Sequence, residues 1–368
     1  MTDKVLHPKP IAADPKEHAV EYEKYLYKKW LFIIFLLIAV FVVSIAYLGY
    51  GDYPISFIDV IKILFGADLG DTPHFVVWTM RLPTVVAAIL VGGALAASGV
   101  VMQSVLRNPL ASPYTLGISN AAAFGAAFAI MISITIFSGT VVEQFFSGPY
   151  GVSMGAFIWA MIAVFIVITI SKMVYSTPES VVLVGVALNA IFLAGLSAFQ
   201  FFADETQLGD IVFWQFGDLS KANWTEVIVL FVIFALVALY FFYKRWDYNA
   251  MDCGDEIAES LGTNAKDTRM MGMVLATLLT AVAVSIVGII GFVGLLAPHM
   301  TKKVIGNDNR YVLPASILLG ALILLVSVFI GSWAFRVGIP VGIITSLIGG
   351  PVFIAIYIKS VKRTRSPE

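Results

Sequence analysis

Four histidines, one cysteine and 24 carboxylates are the side chains of this 368-residue sequence that could serve as metal ligands, nucleophiles or acid–base groups. Their spacing supports none of those roles. His7 and His18 sit in a polar N-terminal stretch, and His74 and His299 stand far apart. His299, beside Pro298, reads as a packing or capping residue. Cys253 has no second thiol for a disulfide or a Cys-based zinc site. The sequence lacks H-E-x-x-H, which would set two histidines and a base on one helix face. It also lacks G-x-x-x-x-G-K-[ST], whose backbone amides would cradle a nucleotide. No catalytic residue, no metal site and no directly bound cofactor is therefore expected.

One polar stretch has a recognisable shape. It is 244–269, KRWDYNAMDCGDEIAESLGTNAKDTR. In its middle, between Gly254 and Gly262, Ile257, Ala258 and Leu261 fall on one face of a short helix. Asp255 and Glu256 occupy the first turn, where the helix dipole favours negative charge. Gly262 suits the left-handed position after the last turn. Such a helix needs a groove for its apolar face, in a partner protein or at the lipid surface. Helices that lie on lipid are usually basic. This one is acidic, which favours a protein.

The elements that carry this loop are membrane spans. The chain is 59% hydrophobic and 13% charged, with mean hydropathy +0.91, where soluble domains carry about 25% charged residues. No Asp, Glu, Lys or Arg occurs in 30–51, 82–106, 108–142, 144–171, 180–203, 270–301, 311–335 or 337–358. A crossing helix needs about 20 mostly apolar residues, and each block is long enough. Spans are predicted at 30–49, 80–105, 113–136, 151–174, 180–202, 225–243, 270–296, 311–331 and 340–358. The block 270–301 is too long for one crossing and contains Pro298, so a short helix is predicted to start there and return the chain. The fold class is then all-α and polytopic, with about ten spans and both termini on one side. With the N-terminus inside, only Lys62, Arg81, Lys221 and Arg336 of the 23 basic residues lie outside, as the positive-inside rule requires. Without the return helix, Lys302, Lys303 and the basic C-terminus would also lie outside.

The layout is a polar tail at 1–29, a transmembrane region at 30–358 that includes the loop 244–269, and a basic tail at 359–368. The apolar stretch from Trp30 is full membrane length and runs into bulky Tyr47 and Tyr50, so it reads as a retained span rather than a cleaved signal. Gly92, Gly93, Ala94, Ala96, Ala97, Ser98 and Gly99, and likewise Gly288, Gly291 and Gly294, would allow helices to approach closely. Ionisable residues are nearly absent from the spans, and those are what proton- or sodium-coupled carriers use. Energy must then come from elsewhere, with an ATPase partner as the natural source and a stand-alone secondary transporter as the alternative. The net charge of −1 argues against nucleic acid.

Several segments carry a resemblance. They are Arg81-Leu-Pro83, Gly92–Gly99 with Gln103, Arg107-Asn-Pro-Leu-Ala-Ser-Pro113, Leu116-Gly-Ile-Ser-Asn120, and Trp214-x-x-Gly217 with Trp224. Gly254–Gly262, Gly291-Phe-Val-Gly-Leu-Leu-Ala-Pro-His299, Ile339-Pro-Val-Gly342 and Leu347-Ile-Gly-Gly-Pro351 complete the set. In this order and spacing, over about 50–358, the chain resembles the FecCD/BtuC-type permeases of type II ABC importers.

The resemblance implies a prokaryotic cell-membrane protein in which two permeases, identical or homologous, enclose one pathway. Two ATPase subunits, which hold the ATP, would dock on the coupling helices (here Gly254, Asp255, Glu256, Ala258, Leu261 and Gly262). An extracytoplasmic binding protein would deliver the ligand. Arg81 occupies a family docking position, although an arginine snorkelling from a helix end reads the same way. The inner gate would lie at Asn108–Leu110 and Ser176–Thr177. Asn189 and Gln200 would line the path or join helices. The chain departs from the family pattern at Thr84, at Ser327–Val328 and Gly331–Ser332, and at Gly338; Arg336 could stand in for a lost docking arginine. The ligand is not written in this chain. Ferric siderophore is the first expectation, with haem and cobalamin behind it.

Overall fold

A computed structural model describes residues 15–135, 149–173, 178–334 and 338–365, and among these every regular element is helical. Helix α1 (Pro15–Gly49) runs unbroken from the polar tail through the first apolar block. The short helices α2 (Phe57–Leu64) and α3 (Asp71–Phe75) lead through a π-turn, Val76–Arg81, into α4 (Leu82–Val105). A 3₁₀ turn, Pro113–Leu116, precedes α5 (Ile118–Thr135). Then come α6 (Pro149–Met173), α7 (Pro178–Phe202), the short α8 (Glu205–Gln215) and α9 (Trp224–Tyr243). The polar loop forms α10 (Arg245–Asp252) and α11 (Asp255–Ser260). The chain ends with α12 (Ala265–Val287), α13 (Val293–Ile305), α14 (Asn309–Ala334) and α15 (Val341–Arg365).

Seven helices among the described residues are long and apolar enough to cross a membrane, and Ile118–Ile132 and Val341–Ala355 are shorter apolar helices. Together with α13 they fall on the ten predicted segments. The α4 helix is the centre of the bundle: 89% of its apolar window is buried, against 17% for α1. Its glycines explain why. Gly92 lies backbone to backbone with Gly320 of α14, and Gly99 does the same with Gly294 of α13. Any side chain at these positions would strike a carbonyl, so small residues set the interhelical distance.

The return helix starts earlier than Pro298. Helix α12 ends at Val287, residues 288–292 are unwound, and α13 begins at Val293 with Pro298 inside it. Irregular backbone within a membrane bundle survives only where protein or a cavity surrounds it. Here Gly288, Ile290 and Gly291 are buried. Gly288 (φ +77) packs against Gly217 (φ +69), and Gly342 rests on the carbonyls of Phe216 and Ile289. The Asp218 amide donates to the Val287 carbonyl at 2.8 Å. The Trp214-x-x-Gly217 and Ile339-Pro-Val-Gly342 segments are therefore two sides of one joint around the break.

The π-turn creates a second requirement. In that register Pro83 would have to donate to the Trp78 carbonyl, and proline has no N–H. Trp224 supplies the donor through Nε1 at 2.9 Å. Trp224→Phe is expected to cost about 1 kcal/mol, seen as a lower melting temperature in detergent with the oligomeric state unchanged.

Candidate functional site

The polar loop folds as two short helices against the ends of α4, α12 and α14. Gly254 (φ +117) turns the chain into α11 and Gly262 (φ +86) turns it out again, the latter as expected for a residue past a helix end. The expected apolar face divides in two. Ala258 is fully buried among Ala250, Met251 and Ala265 and seats the helix on its own chain. Ile257 and Leu261 are 49% and 69% exposed.

Asp255, the first residue of α11, joins three elements. Arg269 Nη2 of α12 donates to both of its carboxylate oxygens, at 2.6 and 2.8 Å. The same guanidinium donates through Nε to the carbonyl of Val105, the last residue of α4, at 2.9 Å. Arg269 is only 5% exposed, and a buried cation of this kind needs a paired anion. The planar fork of arginine lets one side chain hold a carboxylate and a carbonyl together. Arg107 Nη2 lies 3.5 Å from Asp255 Oδ1. Its φ of +47 is unusual for a bulky residue, and it opens the 108–112 loop. The expected coupling helix, the central helix and the expected gate thus meet at one carboxylate.

A second polar cluster involves the same loop. Asp252 Oδ2 accepts from Asn309 Nδ2 (2.9 Å) and Ser104 Oγ (3.3 Å). Burial pushes its pKa up, and Lys302, Ser104 and Asn309 offset this only in part. Asp308 accepts from Arg310 Nη2 (2.7 Å) and Asn249 Nδ2 (3.1 Å). Burial alone would raise its pKa; the hydrogen bonds from Arg310 and Asn249 outweigh that and hold it at about 2. Lys29 of α1, 2% exposed, lies 3.5 Å from Asp308 and stacks over Tyr25 and Tyr311 at 4.2 and 4.4 Å. The N-terminal helix is therefore pinned to the start of α14.

This cluster has a pH signature. An unfolded Asp titrates near 3.9, and the folded value lies below it. The stabilisation is present above about pH 4 and is lost as pH falls through about 2. The melting-temperature gap between wild type and Asp308→Asn should be full at neutral pH and should close across that window.

The other expected site residues are dispersed. Asn108 Oδ1 accepts from the Leu110 amide at 2.9 Å and shapes the loop, while Leu110 is 41% exposed. Asn189 Oδ1 accepts from Asn120 Nδ2 at 2.8 Å, so its amide joins α7 to α5. Gln200 is half-buried near the end of α7. Arg81 donates to the carbonyls of Leu48 and Tyr53, both at 2.8 Å, and closes the end of α1 within its own chain. Thr84 Oγ1 donates to the Met80 carbonyl at 3.2 Å. Ser176, Thr177 and Arg336 lie outside the described residues.

The sequence does not single out Arg269, Asp252, Asp308 or Lys29, and it offers Arg107 only as the start of the Asn-Pro-Leu motif, without its ion pair. A usable signal existed for Arg269. A cation at the very edge of an apolar block needs an anion, and Asp255 opens the helix just before it.

A helical bundle with a buried small-residue axis, an acidic helix tied to one end and seven helices able to span a membrane is that of a multi-pass membrane protein. The FecCD transport family model matches residues 36–359, and the chain belongs to that family. It is 44% identical over 93% of its length to an ABC transporter permease protein of Methanocaldococcus jannaschii, covering 98% of that protein. It is 35% identical to the Fe(3+)-citrate import system permease YfmE of Bacillus subtilis, over 88% of this chain and 93% of that one. It is 31% identical to the hemin transport system permease HmuU of Yersinia pestis, over 88% and 94%. Among solved structures, an inward-facing metal-chelate type ABC transporter superposes with TM-score 0.77 at 29% identity, covering 89% of this chain and 98% of that one.

Proposed function

We propose that this chain is the permease subunit of an ATP-driven importer of a metal chelate, with ferric siderophore as the first ligand class. It crosses the membrane ten times with both termini in the cytoplasm. It pairs with a second permease, receives ligand from an extracytoplasmic binding protein, and draws energy from two ATPase chains that hold the ATP. The observation that carries this reading is Asp255, shared by Arg269 and Arg107 beneath two exposed apolar residues, Ile257 and Leu261. An ATPase groove would cover those two residues, and its motion would reach α4 and the 108–112 loop through one carboxylate. Family membership and a relative named for Fe(3+)-citrate import support the ligand class. A relative named for hemin transport keeps haem as the second reading.

The test is co-purification from native membranes in mild detergent, with mass spectrometry of what stays bound. A P-loop ATPase and a second permease-sized chain are expected. A chain that stays alone after crosslinking would overturn the proposal in favour of a stand-alone carrier. Ile257→Asp with Leu261→Asp is expected to remove the ATPase band while the permease still elutes as a folded peak, because both side chains are exposed. Retention of the ATPase by that double variant would move the docking surface elsewhere.

A further inference from the structure

Helix α2 (Phe57–Leu64) presents three different faces. At about 100° per residue, Val60 and Ile63 share one arc and are fully buried. Asp59 and Lys62 share a second arc and form an exposed ion pair at 3.4 Å. Phe57, Ile58, Ile61 and the capping residue Phe65 fill a third arc, and they are 60%, 67%, 40% and 89% exposed. Ser56 caps the helix by accepting from the Asp59 amide, so the register of the three arcs is fixed. Protein, water and hydrocarbon are available together in one place, the boundary of a bilayer.

The surroundings agree. The ring of Phe57 lies against Gly49, the last residue of α1. The exposed apolar stripe of α1, which includes Leu37, Phe41 and Val42, leads toward this end. Trp78 donates through Nε1 to the Ile63 carbonyl at 3.4 Å, and tryptophan is enriched at the membrane–water boundary. We infer that α2 is an interfacial anchor in the leaflet opposite the coupling helix, with Phe57, Ile58, Ile61 and Phe65 set into the lipid and Asp59 and Lys62 in the headgroup water. A helix with one apolar and one charged face lies in the interface in this way; α2, with Asp59 paired to Lys62, is neutral rather than basic, so its apolar face carries the binding. The anchor fixes the depth of the segment that Arg81 clamps to the end of α1.

The inference rests on α1 being a span, and the test separates the two. In a Cys253→Ser background, Phe65→Cys, Lys62→Cys and Phe41→Cys are labelled with bimane. The chain, with the partners that co-purify, is reconstituted into phosphatidylcholine vesicles with and without brominated phosphatidylcholine. Phe65→Cys and Phe41→Cys are expected to lose most of their emission to brominated lipid and little to aqueous iodide, and Lys62→Cys the reverse. Ile61→Cys replaces Phe65→Cys if the latter does not fold. Quenching of the Phe65 or Ile61 label by iodide would put this face in water. Quenching by neither agent would mean that a second copy or an outer partner covers it. Either result overturns the anchor while Phe41→Cys still reports lipid. A Phe41 label that brominated lipid does not reach would overturn the spanning position of α1, and the anchor with it.

Discussion

Asp255→Ala is expected to reduce ATP-driven uptake to background while the chain still folds and inserts. Removing one partner of a fully buried ion pair costs about 3–5 kcal/mol. Asp255 keeps 35% of its side chain exposed, so water can reach the stranded Arg269, and we expect about 2 kcal/mol. The bundle tolerates that loss. On the proposed coupling role, transmission would not, because Arg269 still holds the Val105 carbonyl while α11 loses its hold on both arginines. Asp255→Glu should recover part of the activity, since the carboxylate remains with one added methylene. The assay is uptake of radiolabelled ferric chelate by cells that express the permease with its ATPase and binding protein. Wild-type uptake by Asp255→Ala would remove the carboxylate from the coupling path.

Gly99→Leu is expected to abolish folding. A Cβ at this position would overlap the backbone carbonyl of Gly294. Ordinary overpacking costs about 1–3 kcal/mol, because side chains can shift. Here the obstacle is main chain on a helix that holds the break at 288–292, so the cost exceeds that range. Gly209→Ala is the contrasting case. It lies within α8, with nothing within 4 Å of the added methyl, and it should gain about 0.5–1 kcal/mol from helix propensity. Size-exclusion profiles and melting curves in detergent distinguish the two. A monodisperse Gly99→Leu peak with normal melting would disprove the backbone contact of α4 with α13.

The sequence is most legible where one physical cause dominates. Absent charge over membrane-length blocks places the apolar helices, and Gly254 and Gly262 bound the short helix of the polar loop, because hydrocarbon and left-handed backbone each restrict residue choice severely. The motif Trp214-x-x-Gly217 could be seen without a reason. The reason is a contact with Gly288, 71 positions further on, and no local pattern encodes that. The sequence places the start of α13 at Pro298, because proline usually marks a boundary, whereas Phe292 in the left-handed region sets it. Helix α2 went unread because its three environments leave no simple apolar period. The Asp255 junction joins residues 105, 107, 255 and 269, and nothing local to any of them says that they meet.

The charge-free interior has an electrical consequence. Moving one elementary charge through 100 mV is worth about 2.3 kcal/mol, and voltage-driven machines place arginines or carboxylates in the field to collect it. Every Asp, Glu, Lys and Arg lies outside the eight apolar blocks, so rearrangement of this bundle carries almost no gating charge. On the charges of this chain alone, the membrane potential is expected to do little work on its opening. For the proposed ATP-driven importer and an uncharged cargo, uptake is expected to survive loss of the potential as long as ATP remains.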